Sequence, residues 1–316
     1  MKQTIQQQSM AGKSLLSLQD LTKEEILYVL DLSAELKSQH QKGELIQPLA
    51  GKTLGMIFEK SSTRTRVSFE TGIYQLGGMG LYLNSKDLQL GRGEPVADTA
   101  KVLSGYLDAI MIRANSHKLV EELAEHATIP VINGLTDLFH PCQALADLQT
   151  ILEYKGTLEG VKLAYIGDAN NVANSLMIAA AKTGMQIRIA APAGYQPMPE
   201  IVEKAKNISD DPDFLLITES PEEAAAGADV LYTDVWTSMG QEEESAARLK
   251  AFQGYQVNEM LMDSAASDAI FLHCLPAHRG EEVAAAVIDG PQSAVFQEAE
   301  NRLHAQKALM LAVMGK

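Results

Sequence analysis

The chain has 316 residues, 46% hydrophobic and 21% charged, a balance that excludes a disordered, collagenous or coiled-coil chain. It carries 26 basic against 41 acidic side chains, a net charge of −15, and only 5% aromatics, which excludes a broad nucleic-acid or anionic-membrane surface and a base-stacking platform. An anionic small molecule stays open as a ligand, because a few arginines gathered in one place outweigh the global charge locally.

Two cysteines, Cys142 and Cys274, make no disulfide scaffold and fit a reducing cytosol. The N-terminal stretch is polar and has no apolar core of signal-peptide length, and the apolar runs elsewhere are too short to span a bilayer. The expectation is a cytoplasmic α/β enzyme of two domains, without membrane or nucleic-acid partners.

In chain order, β-rich runs are expected as strands at 53–58, 109–112, 129–132, 162–166, 186–189, 214–217, 230–233 and 269–272. Several are continuously apolar, as parallel strands covered on both faces are. Helical patterns lie between them at 22–39, 65–76, 95–106, 116–126, 142–155, 171–183, 199–209 and 299–314. The first opens on Thr-Lys-Glu-Glu, an N-cap followed by acidic first-turn residues. Such alternation implies βαβ units and open parallel sheets, with ligands at the carboxyl ends of the strands. Gly156 and Gly160, between a long helical pattern and a strong strand, place a domain boundary near 154–158.

Five segments carry chemistry. Residues 58–66, FEKSSTRTR, follow a strand and open a helix. Ser62, Thr63 and Thr65 offer hydroxyls, Arg64 and Arg66 offer forked cations, and the helix start offers outward N–H groups, so together they suit a phosphate. A capped helix with surface arginines would use the same residues. Residues 139–143, FHPCQ, put Pro141 at the first helical position, with His140 before it and Gln143 in the first turn. An imidazole and an amide there could polarise a carbonyl and receive an NH2 group, although many histidines are structural.

Residues 272–280, LHCLPAHRG, close a strand, and Cys274 could be a nucleophile, an inert thiol or a polar contact. The histidines have no metal-ligand spacing, so no metal is expected. Residues 234–240, DVWTSMG, follow a strand and offer Asp234 for an ammonium group, Ser238 as a hydroxyl and Gly240 as a hinge; an ordinary loop reads the same. Residues 167–171, GDANN, occupy a nucleotide-binding turn but lack G-x-G-x-x-G, which speaks against a nicotinamide dehydrogenase, and no cofactor is expected.

With DLQLGRGE at 87–94, GDANNVANS at 167–175, HCLPAHRGEEV at 273–283 and ENRLHAQKA at 300–308, these segments resemble the aspartate/ornithine carbamoyltransferase family, in order over nearly the whole chain. The resemblance implies two open parallel-sheet α/β domains with a cleft between them. Residues 1–154 would bind carbamoyl phosphate, joined by a returning C-terminal helix at 299–316, and residues 155–298 would bind the amino acid. Asp234 followed by Ser238, Met239 and Gly240 argues for L-ornithine over aspartate or putrescine as second substrate. The implied products are L-citrulline and phosphate, in arginine synthesis or, run backwards, in its degradation.

By the same resemblance Ser62, Thr63, Arg64 and Thr65 hold the phosphate, Arg302 contributes another positive group to the carbamoyl phosphate site, and Arg113 reaches phosphate and carbonyl oxygens. His140 polarises the carbonyl, while Gln143 and the Leu275 backbone order the carbamoyl NH2. Gln89 would enter a neighbouring subunit's site in a trimer with shared active sites. Asn171, Asp234, Ser238 and Met239 would bind ornithine, and Asp234 with Cys274 would position its amine. A silent anion-binding relative would keep the phosphate groups and lose the second set; this sequence has both.

Overall fold

A computed structural model describes residues 9–44, 46–91, 93–237 and 245–315. The chain divides into two compact units, Met1–Gln149 with Glu300–Lys316, and Thr150–Ala299. The first unit is built on a parallel sheet of β1 (Thr53–Phe58), β2 (Met79–Asn84), β3 (Ala109–Arg113) and β4 (Val131–Leu135), in the order β2-β1-β3-β4. The helices α1 (Lys23–Gln41), α2 (Thr63–Gln75), α3 (Val96–Ser104), α4 (His117–His126) and α5 (Pro141–Lys155) connect it. In the second unit β5 (Lys162–Ile166), β6 (Gln186–Ala190), β7 (Leu215–Thr218), β8 (Val230–Thr233) and β9 (Ile270–His273) form a parallel sheet in the order β7-β6-β5-β8-β9. Its helices are α6 (Asn171–Thr183), α7 (Pro199–Ile208), α8 (Pro221–Ala225), α9 (Ser245–Ala251), α10 (Glu259–Ser264) and α11 (Ala285–Ile288). The last helix, α12 (Val295–Met314), carries the chain back into the first unit.

The apolar runs explain the strands. β1, β3, β8 and β9 are buried almost throughout, as strands with helices on both faces must be. Ile57, Ile110, Ile112 and Val131 share one core with Val120 and Leu123. Ile166, Leu231 and Phe271 share another with Trp236, Phe252 and Val287. Helix α1 starts where its sequence asks: the Thr22 hydroxyl accepts from the Glu25 N–H at 3.2 Å, and the Glu25 carboxylate accepts from the Thr22 N–H at 3.0 Å.

Several elements differ from expectation. Strand β2 is not among the expected strands; it is an edge strand, exposed or half-buried along its length, and its short apolar stretch Leu81–Leu83 sits between Gly80 and Asn84. Helices α8 to α11 are not among the expected helices either; at four to seven residues they are too short to show a helical period. Helix α12 begins at Val295, four residues before the expected start at 299.

Each strand order reverses once, between β1 and β3 in the first unit and between β5 and β8 in the second. At such a reversal the connecting helices leave on opposite faces and open a crevice at the strands' carboxyl ends. The phosphate-type loop follows β1, Arg113 ends β3, GDANN follows β5 and Asp234 follows β8. A tight helix contact supports the first of these places. At Gly72 in α2 an added Cβ would lie 2.9 Å from Met310 Cε and 3.1 Å from Lys307 Cγ of α12. Glycine there lets the helix after the loop lie close against the helix that bears Arg302.

Candidate active site

In the first unit Phe58 pairs with Arg113 across β1 and β3, and the Glu59 N–H donates to the Arg113 carbonyl at 2.9 Å. Ser62 then caps α2, its hydroxyl accepting from the Thr65 N–H at 3.2 Å. Residues Ser62 to Thr65 therefore occupy the N-cap and first turn, where N–H groups meet no carbonyl inside the helix and the helix dipole is positive.

Helix α5 begins at Pro141, and the His140 carbonyl accepts its first two helical bonds, from Gln143 at 3.1 Å and Ala144 at 3.2 Å. This fixes His140 and Gln143 on one helix end. From α12, Arg302 Nη1 donates to Gln143 Oε1 at 2.6 Å and Nη2 donates to Thr65 Oγ1 at 3.3 Å. Gln306, one turn on, satisfies its neighbours with its oxygen toward Arg302, 2.9 Å from Nε and 2.8 Å from Nη2, and its NH2 toward Ser68. Gln143 Nε2 in turn donates to Asp147 Oδ1 at 2.8 Å. One buried guanidinium thus ties together the starts of α2 and α5.

His140 is buried, and its ring is held well below the usual histidine pKa, first by burial and then by the positive charges of Arg302, Arg113 and Arg64. The ring is therefore neutral at neutral pH, with one N–H donor and one lone pair. Three guanidinium groups around a neutral imidazole suit an anion whose carbonyl needs a donor. Cys142 plays no reactive part: burial pushes its thiol up to about 12, and Sγ donates to the Asn133 carbonyl at 3.3 Å.

In the second unit Asp234 and Cys274 directly follow the paired residues Thr233 and His273 of β8 and β9. The Cys274 thiol donates to Asp234 Oδ1 at 3.0 Å, and the Val235 N–H donates to the same oxygen at 2.8 Å. Asn170 Nδ2 donates to Oδ2 at 2.8 Å. A fixed carboxylate beside a thiol suits an amine ligand. Burial, followed by the charges of Asp234, Asp168 and Cys274, pushes the nearby Tyr165 phenol well above its usual range, so it stays a neutral donor, to the Asp168 carbonyl at 2.9 Å.

Leu275 has φ 56, the one left-handed residue other than glycine among the described residues. A leucine costs about 1–2 kcal/mol there, so its surroundings must hold it. They do: its N–H donates to His273 Nδ1 at 2.9 Å, His273 Nε2 meets Glu282 Oε1 at 3.1 Å, and Glu282 Oε1 also accepts from the His278 N–H at 2.6 Å. Both His273 and Glu282 are fully buried. Asp234, His273 and Cys274 also present one metal-type ligand atom each within 4.8 Å. Both His273 ring nitrogens are already engaged, so a metal ion there would first have to break this latch.

The first unit thus brings together Ser62, Thr63, Arg64, Thr65, Arg113, His140, Gln143 and Arg302. The second brings together Asp234, Cys274 and Leu275. Gln89 is exposed, at the start of the short turn Gln89–Gly91. Asn171 is the first residue of α6, but its neighbour Asn170 makes the bond to Asp234. Ser238, Met239 and Gly240 lie outside the described residues.

Sequence reasoning missed Asn170, Gln306, Asp147 and the His273–Glu282 pair. Two of these left a signal: Asp147 lies four residues after Gln143 and Gln306 four after Arg302, the spacing of one helix face.

Two family models match the chain: the carbamoyl-P binding domain of aspartate/ornithine carbamoyltransferase over residues 13–153, and its Asp/Orn binding domain over residues 159–313. An ornithine carbamoyltransferase of Oceanobacillus iheyensis is 64% identical over 311 residues, which are 98% of this chain and 97% of that protein. One of Bacillus subtilis is 61% identical over 315 residues, 99% of this chain and 97% of that one. The solved ornithine carbamoyltransferase of Pyrococcus furiosus superposes with a TM-score of 0.94 at 54% identity, over 96% of this chain and 98% of that one. Among the described residues no helix is long and apolar enough to cross a membrane.

Proposed function

Because the chain belongs to the aspartate/ornithine carbamoyltransferase family, we propose that it transfers the carbamoyl group of carbamoyl phosphate to the side-chain amine of L-ornithine, giving L-citrulline and phosphate. The observation that carries this reading is the group of Arg64, Arg113 and Arg302 around a buried neutral His140. Carbamoyl phosphate is assigned to residues 1–154 with 299–316, and ornithine to residues 155–298.

In the proposed mechanism Ser62, Thr63, Arg64 and Thr65 bind the phosphate, and Arg302 keeps Thr65 and Gln143 in place while adding charge. Arg113 and the His140 N–H bond the carbonyl oxygen, where negative charge grows as the amine attacks. Gln143 and the Leu275 carbonyl order the NH2 group. The amine must attack neutral, although a free alkyl amine titrates near 10.4, about where Lys does. Asp234 and Cys274, already joined by a hydrogen bond, position it; Asn171, Ser238 and Met239 hold the amino-acid head. The C–N bond forms, the C–O bond to phosphate breaks, and the leaving phosphate takes the amine proton. No covalent carbamoyl-enzyme is needed, because the carbamoyl group is already activated.

We further propose that the protein works in the cytoplasm, in the direction of arginine synthesis, as a trimer in which Gln89 enters the neighbour's site. The exposed Val67, Tyr74, Met79 and Tyr82 of the first unit support self-association, and light scattering measures it. The deciding assay is citrulline formation from carbamoyl phosphate and ornithine, with putrescine and aspartate run beside it. Turnover of either of these in preference to ornithine would overturn the assignment.

A further inference from the structure

Asn170 has three hydrogen-bonding tasks. Its Oδ1 accepts from the Val172 N–H at 2.9 Å, which caps α6, and at 3.3 Å shares the single Tyr165 hydroxyl proton with the nearer Asp168 carbonyl. Its Nδ2 donates to Asp234 Oδ2 at 2.8 Å. The cap alone does not require asparagine, since Asp and Ser cap a helix about as well. Asparagine is distinctive in carrying an acceptor oxygen and a separate donor nitrogen, so one planar group serves the helix on one side and a carboxylate on the other.

That carboxylate has a second set of partners. Asp234 Oδ1 accepts from the Cys274 thiol at 3.0 Å and from the Val235 N–H at 2.8 Å. The Val235 N–H belongs to the residue next in sequence and restrains the side chain only locally. The bond from Asn170 reaches across from the loop after β5 to the end of β8, and sets the plane in which Oδ1 meets the thiol. Neighbouring strands β5 and β8 hold the two ends in register, with Tyr165 opposite Tyr232. Asn170 is itself backed by the fully buried Tyr165, whose ring stacks on Tyr232 with centroids 5.8 Å apart.

We infer that Asn170 is a positioning residue, which orients the Asp234 carboxylate toward Cys274 and so sets the place where the attacking amine is held. For the amine this rests on the proposed function; for the Asp234–Cys274 geometry it does not.

Two variants separate positioning from capping. Asn170→Ser keeps a capping oxygen but is too short to reach Asp234, whereas Asn170→Ala loses both. If Asn170 only capped α6, serine would restore both the melting temperature and the kinetics. Positioning predicts that serine restores the melting temperature alone. In both variants KM for ornithine should then rise about tenfold or more, the range that loss of a hydrogen bond to a charged group produces. The dissociation constant of carbamoyl phosphate alone should stay within about twofold of wild type, because its main groups lie in the other unit.

A readout free of any substrate uses iodoacetamide, which in the folded protein reports Cys274, since Cys142 is buried with its thiol pushed up to about 12. Freed from its fixed acceptor, Cys274 should be alkylated at an altered rate in both variants, to the same extent in each. Wild-type alkylation and wild-type KM in Asn170→Ser would overturn the inference. Altered alkylation in a protein that makes no citrulline would instead sink the proposed function and leave this geometry standing.

Discussion

Replacing His140 by Gln should remove one acid-labile contribution to stability. In the unfolded chain the imidazole takes a proton near 6.5, while in the native state burial and then Arg302, Arg113 and Arg64 hold it well below that value. Below 6.5 the unfolded state therefore binds more protons than the native state, so acid favours unfolding. The contribution is fully present above 6.5 and is lost as pH falls toward the depressed native value. Between the unfolded value and the depressed native one, that one proton per molecule costs about 1.36 kcal/mol for each pH unit. Glutamine keeps an amide donor and an acceptor but does not titrate. Urea unfolding at about pH 7.5 and about pH 5 should thus show wild type losing more stability than the variant, by no more than about 1.36 kcal/mol for each pH unit below 6.5. Groups common to both proteins cancel in the difference. Equal acid losses in the two proteins would refute a neutral buried His140. Inorganic phosphate should reduce the wild-type loss, because its charge offsets the arginines while burial persists.

Arg302→Met should leave the first unit folded but weaken carbamoyl phosphate binding by about 10- to 100-fold, the range for losing charge-assisted hydrogen bonds; calorimetric titration giving an unchanged dissociation constant would refute its role at the start of α2 and α5. Cys274→Ser should keep measurable turnover, and mass spectrometry after mixing wild type with carbamoyl phosphate alone should find no adduct; added mass on the Cys274 peptide would disprove direct transfer. Gly72→Ala should lower the melting temperature, because the new Cβ would lie 2.9 Å from Met310 Cε and 3.1 Å from Lys307 Cγ. Overpacking costs about 1–3 kcal/mol, offset by the about 0.5–1 kcal/mol that alanine gains over glycine inside a helix, and carbamoyl phosphate should bind more weakly if α12 shifts Arg302; a variant as stable as wild type would show that the two side chains simply give way.

Strands buried on both faces were legible because burial leaves a continuous apolar run, as in β1 and β9. Edge strand β2 buries little and pairs with β1 on one side only, so its existence depends on a partner distant in sequence and not on its own pattern. The same division runs through the site. Ser62 as a cap and Pro141 as a first helical residue are local facts, visible in order and spacing. That Arg302 would bond Gln143 and Thr65, 159 and 237 residues earlier, is a tertiary fact that no local pattern carries. The sequence shows Asn170 only as part of the turn GDANN; its bond to a carboxylate 64 residues on appears only once β5 and β8 lie side by side.

The excess of acidic residues and the arginine group at His140 fit together once distance is taken into account. Charges spread over a surface are screened by salt within about 8–10 Å, whereas buried or half-buried ones are screened much less. Arg302 is 2% exposed and bonds the neutral oxygens of Gln143, Thr65 and Gln306, which satisfy its N–H groups while leaving its charge in place. The result is a local positive field inside a chain of net charge −15. With burial, that field keeps a proton off His140, and the same field would attract a phosphate. Keeping the ring neutral matters to the chemistry: a neutral N–H can bond a carbonyl oxygen that gains charge, and it adds no further cation to a site that already holds three. The arginines proposed to bind the anion thus also act, together with burial, on the protonation state of the group that would polarise it.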